Sequence, residues 1–300
     1  MARWDRGDSG SSIPDWFWQA VETEPEVHTV EVDECDVSYR HYRAPGNPGM
    51  LLIHGMNAHA RWWDFIAPQL LDQYEVVAMD LTGMGDSDYR YTYEGDTYAA
   101  EIAAVLDAAG FDNQALVVAH SFGGYMAVRA AALYPDRFGG LILVDSGIRH
   151  PDDPLPEHYQ NMMNVRAKVY PSREEAVNRF RLQPPQPCEN EYVMQYIARN
   201  SFMPVDGGGY AWKFDEDLPS SMKDTERVPA DYEALSLPLG LIYGEDSELF
   251  SKRTLDYLRE LVPQEFPAIG IENAQHHVFL DQPLAFVSAL RDMAGQLHNR

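Results

Sequence analysis

The chain has 300 residues, of which 47 are acidic and 23 basic, for a net charge of −24. That balance disfavours nucleic acid, anionic membranes and polyanionic substrates as partners, and it reads as a solvated acidic surface. A hydrophobic share of 45% is ordinary for a globular protein, the length allows one large core plus an insertion, and no apolar run approaches the roughly 20 residues that cross a bilayer.

Residues 1–12 are polar and lack the apolar centre of a signal peptide, so a cytoplasmic protein is expected. Cys35 and Cys188 fit no metal spacing and are expected to be free thiols. Val27–Arg43 alternates like an antiparallel hairpin. Short continuous apolar runs follow at Met50–His54, Tyr74–Leu81, Ala115–Ala119, Leu141–Val144, Leu237–Tyr243 and Glu265–Ile271. Helical patterns separate them. Tyr98, Ile102, Val105, Leu106 and Ala109 share one face, Phe122–Tyr134 is stopped by Pro135, and Phe286, Leu290, Met293, Ala294 and Leu297 form a last stripe. The alternation predicts an α/β fold with a mostly parallel central sheet, helices on both faces and the hairpin at one edge.

The third run leads into Val117-Val118-Ala119-His120-Ser121-Phe122-Gly123-Gly124. A strand that drives into a serine, with small residues two positions to either side, is what a nucleophile elbow requires. The serine occupies a sharp strand-to-helix turn, and its hydroxyl is pushed out at a helix N-terminus. Such a serine needs a base, and the base needs an orienting acid. Asn273–Pro283 (NAQHHVFLDQP) supplies histidines in a loop after the last strand, at the sheet edge where open α/β sheets carry their sites.

Four motifs together resemble the α/β-hydrolase superfamily of lipase- and esterase-like enzymes: His54-Gly55-Met56, Asp80-Leu81-Thr82-Gly83-Met84-Gly85-Asp86-Ser87, the elbow, and the histidine loop ending in Asp-Gln-Pro. The resemblance implies Ser121 as nucleophile and His276 as base, because His276 rather than His277 lies seven residues before Pro283. It implies an oxyanion hole from the backbone N–H groups of Met56 and Phe122, with His54 bracing the oxyanion loop from behind. Many relatives place the acid as Gly-x-x-Asp after a late strand. Here Gly244-Glu245-Asp246-Ser247 puts a serine at that position. Some relatives carry the acid one strand earlier, so Asp145 leads, Asp246 is the alternative and Glu248 a third candidate.

The resemblance further implies a core of residues 1–146 and 235–300 and a helical cap over residues 147–234. Proline-rich stretches and helical fragments at Glu157–Val169 and Glu174–Leu182 fit that cap. His59, His120, Met162 and Trp212 are candidate pocket groups, with Met163, Met194, Phe202, Met203 and Tyr210 behind them. Trp62, Phe65, Ile66 and Leu70 read as core, and Gly207-Gly208-Gly209 as a flexible turn. The expected activity is hydrolysis of a small ester through an acyl-enzyme, with no metal or organic cofactor. Carbon–carbon bond or lactone hydrolysis, a proline-type aminopeptidase with an acidic cap group (Glu157, Glu174 or Glu191) and a non-catalytic ligand-binding protein are the alternatives.

Overall fold

A computed structural model describes residues 13–111, 115–153 and 168–298. The hairpin is β1 (Glu26–Val32) and β2 (Cys35–Tyr42), and the apolar runs become β3 (Gly49–Ile53), β4 (Glu75–Met79), β5 (Leu116–His120), β6 (Gly140–Val144), β7 (Leu239–Gly244) and β8 (Ala268–Ile271). These eight strands form one sheet in the order β1-β2-β4-β3-β5-β6-β7-β8. The β1–β2 and β2–β4 pairs are antiparallel and all other pairs are parallel.

Strand periodicity builds two cores from one sheet, because successive side chains leave a strand on opposite faces. Met50, Leu52, Leu116 and Val118 enter the core beneath α1 (Asp15–Val21), the turns around Trp63 and Leu70, and the long C-terminal helix Pro283–His298. Leu51, Ile53, Val117 and Ala119 enter the other core, under α2 (Gly95–Ala108), α3 (Phe122–Leu133) and the helix Lys252–Leu261. The central strands β3, β4, β5 and β6 are buried along their whole length, which is why they read as continuous apolar runs rather than as alternating ones.

Between β6 and β7, the sixth and seventh strands of the sheet, the described residues form the helices Arg173–Asn178 and Glu191–Asn200 and the hairpin Phe202–Pro204 with Tyr210–Trp212. The helix expected over Glu174–Leu182 is thus shorter than its pattern, and most of the fragment Glu157–Val169 lies outside the described residues. Gly207, Gly208 and Gly209 form the turn of the hairpin, all at positive φ. This segment is tied to the core through Asp64, which accepts hydrogen bonds from Arg40, Tyr42 and, at 2.6 Å, the hydroxyl of Tyr196. No helix among the described residues is long and apolar enough to cross a membrane.

Candidate active site

The parallel register brings three chain segments to one edge of the sheet. His120, the last residue of β5, pairs with Val144 of β6, and Val144 pairs with Ile242 of β7. Ser121 and Asp145 are therefore each the first residue beyond adjacent strands, and the loop after β8 closes over them.

Ser121 sits at φ 51° and ψ −118°, a backbone conformation costly for a residue with a side chain. Its N–H donates to the Val144 carbonyl at 3.1 Å, and its own carbonyl accepts the Gly124 N–H at 3.0 Å and the Ser146 hydroxyl at 2.8 Å. A Cβ at Gly123 would stand 2.3 Å from the His54 carbonyl oxygen, so only glycine allows β3 and α3 to approach this closely. Asp145 is also at positive φ, 43°.

The Ser121 hydroxyl lies 2.9 Å from His276 Nε2, and His276 Nδ1 lies 2.6 Å from Asp145 Oδ2. Asp145 is buried, and both its oxygens are occupied: Oδ1 accepts the Gly244 N–H at 3.0 Å, and Oδ2 also accepts the Ser247 hydroxyl at 2.7 Å. The His276 loop is held by Asp281, whose Oδ2 accepts the Gln275 N–H at 2.7 Å and the Gln186 side-chain amide at 2.8 Å. Of the expected acids, only Asp145 joins the chain of hydrogen bonds. Asp246 and Glu248 are exposed, and the Asp246 N–H is turned to the Ala274 carbonyl at 3.0 Å. Asp246 stands one residue before position 247, whose side chain is the one that reaches Asp145.

The Gly55-Met56 turn after β3 approaches the serine, since a Cβ at Gly55 would stand 3.2 Å from Ser121 Cβ. Phe122 is the first residue of α3, where a helix leaves N–H groups without intrahelical partners. Behind Met56, the neutral imidazole of His54 donates from Nδ1 to the Gly55 carbonyl at 2.7 Å and accepts the Leu81 N–H at Nε2, 3.2 Å. Burial pushes its pKa down to about 4. Asp80, raised to about 6 by burial, accepts the Ala60 and Asp86 N–H groups. The glycine-rich turn of residues 80–87 is therefore a brace under the loop that follows β3.

The other candidates divide. Trp212 lines a narrow cleft with Met56, Asn57, Phe180, Arg181, Gln183 and Phe214, and neither Ser121 nor His276 is among its lining residues. Trp62, read as core, also lines it. His59 does not; it is buried, and its Nε2 lies 2.9 Å from the Ser201 hydroxyl. His120 is buried beneath the site with Nε2 3.0 Å from the His276 carbonyl. Burial holds the pKa of His59, His120 and His277 well below the usual imidazole value. Met194 packs against the core, and Met162, Met163 and Glu157 lie outside the described residues. Glu174 and Glu191 are exposed in the first turns of their helices. A larger cleft between α2, α3 and the helix Pro229–Glu233, lined by Glu94, Asp96, Arg129 and Arg227, includes neither Ser121 nor His276.

Ser247 and Asp281 were missed as site residues by sequence reasoning. The Gly-x-x-Ser departure and the Asp-Gln-Pro motif were the available signals, but their partners lie on other strands and loops.

The chain is similar to known hydrolases. It is 26% identical to the 2-(acetamidomethylene)succinate hydrolase of Mesorhizobium japonicum over 77% of this chain and 82% of that protein. It is 26% identical to the pimeloyl-[acyl-carrier protein] methyl ester esterase of Neisseria meningitidis serogroup A over 80% and 75%. The crystal structure of E-2-(acetamidomethylene)succinate hydrolase superposes with a TM-score of 0.76 at 22% identity, covering 91% of this chain and all of that one. The activities named for these relatives are hydrolytic and support a hydrolase. The family model for the alpha/beta hydrolase fold matches residues 48–283, and the chain belongs to that family.

Proposed function

We propose that the protein is a serine hydrolase that cleaves small to medium carboxylic esters through an acyl-enzyme. The observation that carries this reading is the unbroken relay from the Ser121 hydroxyl through His276 to Asp145, with contacts of 2.9 and 2.6 Å.

Ser121 Oγ attacks the ester carbonyl carbon as His276 Nε2 takes its proton. Asp145 holds the Nδ1–H tautomer and stabilises the imidazolium. The negative charge that develops on the carbonyl oxygen falls to the N–H groups of Met56 and Phe122, each worth about 3 to 4 kcal/mol in the transition state. His276 then protonates the departing alcohol. A water activated by the same imidazole attacks the acyl carbon, and Ser121 leaves with its proton restored. These steps use protein groups and water alone.

Residues 147–234 act as a cap in this reading. Phe180, Gln183, Trp212 and Phe214 belong to that segment and line the cleft beside Met56. The cleft is too narrow for a long acyl chain, which favours a short one. Its aromatic lining favours an apolar one. Among the relatives, the esterase of N. meningitidis supports ester cleavage.

Hydrolysis of p-nitrophenyl esters from acetate to decanoate tests the reading, with wild type and Ser121→Ala side by side. Turnover of the short esters by wild type and its loss in the variant are expected. A wild type no faster than Ser121→Ala at every chain length would end the esterase reading.

A further inference from the structure

His276 stands in a group of three buried histidines, and two of them have no task in the ester mechanism. One ring nitrogen from each of His120, His276 and His277 lies within 4.8 Å of the other two. Ring centroids are 4.7 Å apart for His120 and His276, 5.1 Å for His276 and His277, and 5.4 Å for His120 and His277. All three are buried. Among the described residues His120 Nδ1 has no hydrogen-bond partner, and the His277 ring faces the backbone of Gln183 and Pro184 without a well-formed bond; an unpaired buried polar atom carries a desolvation cost of about 1–3 kcal/mol.

Two of the rings are also oriented as metal ligands are. A ligating imidazole gives its remote N–H to a carboxylate or a backbone carbonyl, which fixes the tautomer and leaves the other lone pair for the cation. His276 Nδ1 faces Asp145 Oδ2 at 2.6 Å, and His120 Nε2 faces the His276 carbonyl at 3.0 Å. The remaining nitrogens are His276 Nε2, which holds the Ser121 hydroxyl at 2.9 Å, and His120 Nδ1, which holds no partner among the described residues.

We infer that His120, His276 and His277 form an inhibitory site for a borderline-soft divalent cation such as Zn²⁺ or Cu²⁺. Three imidazoles suit these ions and not Mg²⁺ or Ca²⁺, which take oxygen ligands. Zn–N bonds of 2.0–2.1 Å in a tetrahedron put ligand nitrogens about 3.4 Å apart, so the rings close by about an ångström around the ion. Binding takes the His276 Nε2 lone pair away from the Ser121 proton and leaves the nucleophile without its base. His277 contributes to the metal site alone, so it separates inhibition from catalysis. The inhibitory half of this inference rests on the proposed role of His276; the binding half does not.

The test uses untagged protein and its His277→Gln variant, with ZnCl₂, CoCl₂ and MgCl₂ as probes. Wild type is expected to lose p-nitrophenyl butyrate hydrolysis on Zn²⁺ addition, to recover it with EDTA and to ignore Mg²⁺. His277→Gln is expected to keep basal turnover and to need at least about tenfold more Zn²⁺ for half-inhibition. Co²⁺ binding is read independently from the visible d–d absorption of a nitrogen-ligated ion, one equivalent per chain in wild type and absent in the variant. That signal reports on the site even if the protein proves not to cleave esters. Should His277→Gln not fold, His120→Gln and the wild-type Co²⁺ spectrum carry the same decision. Equal Zn²⁺ sensitivity of wild type and variant, or a wild type without the Co²⁺ spectrum, overturns the inference.

Discussion

Ser247 donates its hydroxyl to Asp145 Oδ2 at 2.7 Å, on the same oxygen that faces His276 Nδ1. Ser247 holds the position after β7 where the resemblance to related hydrolases would place the acid, and the carboxylate instead reaches in from the neighbouring strand end. The two positions converge because Val144 and Ile242 are paired, so that both strands open onto the same histidine.

Asp145→Asn is expected to lower kcat by about ten-thousandfold, since the amide orients the wrong imidazole tautomer, while Asp246→Asn stays within about twofold. Adding Ser247→Asp to Asp145→Asn restores a carboxylate within reach of the same ring and should recover at least about tenfold of the loss. Steady-state kinetics on p-nitrophenyl butyrate decide it. A double variant as inactive as Asp145→Asn would mean that position 247 cannot take over the orienting role.

The core of the fold was legible because its physics is local. The continuous runs at Met50–His54 and Leu141–Val144 could only be strands buried on both faces, and Val27–Arg43 alternated as a hairpin does; they became β3, β6 and the β1–β2 pair. The serine and histidine stood out in the chain because the elbow and the last loop are short contiguous patterns. The choice among Asp145, Asp246 and Glu248 was not readable, because it depends on where two strands end relative to each other. Asp64 was equally silent. Its partners come from two distant places, Arg40 and Tyr42 from β2 and Tyr196 from the segment after β6, and meet it only in the folded chain.

A methyl group at Gly244 should damage catalysis without touching any catalytic side chain. Its Cβ would stand 2.3 Å from the Ala274 carbonyl oxygen and 2.4 Å from that of Gln275, the two residues before His276. Backbone on both sides must give, and the imidazole moves with it. Gly244→Ala is expected to cost about 1–3 kcal/mol of stability through overpacking and about a hundredfold in kcat through misplacement of the base. Urea unfolding with parallel kinetics checks both. Unchanged kcat would show that the histidine loop absorbs the shift.

Acid should weaken the fold through His59. Its folded pKa lies below the ordinary value of 6.5 because burial disfavours the imidazolium. The unfolded chain therefore binds the proton first. The stability this gives is present above pH 6.5 and is lost as pH falls toward the folded pKa. His54, lowered to about 4, acts in the same direction over the window from 6.5 to 4. Asp80, raised to about 6, acts in the opposite direction and gains stability as pH falls below 6. These two lie 4.0 Å apart and their shifts are of similar size, so their contributions largely offset, and His59, His120 and His277 remain, all lowered by burial. The urea midpoint of wild type is expected to fall from pH 7 to pH 5, and that of His59→Gln to fall less. Equal falls in the two proteins would remove His59 as a source of the acid sensitivity.

Under the proposed esterase reading, Trp212 limits the length of acyl chain the cleft accepts. Its ring is packed 4.4 Å from Phe202 and 5.5 Å from both Phe180 and Phe214, and it closes the cleft beside Met56. Truncation to alanine removes the largest wall without touching Ser121 or His276. Trp212→Ala should move the p-nitrophenyl ester optimum from acetate or butyrate toward octanoate, since each added buried methylene then contributes about 0.8 kcal/mol of binding. The half-buried position limits the stability loss to about 2 kcal/mol, below that of a fully buried tryptophan. The profile of kcat/KM against chain length is the measurement. An optimum that stays at the short esters would place the acyl chain elsewhere, and the wall to cut next would be Trp62, across the same cleft.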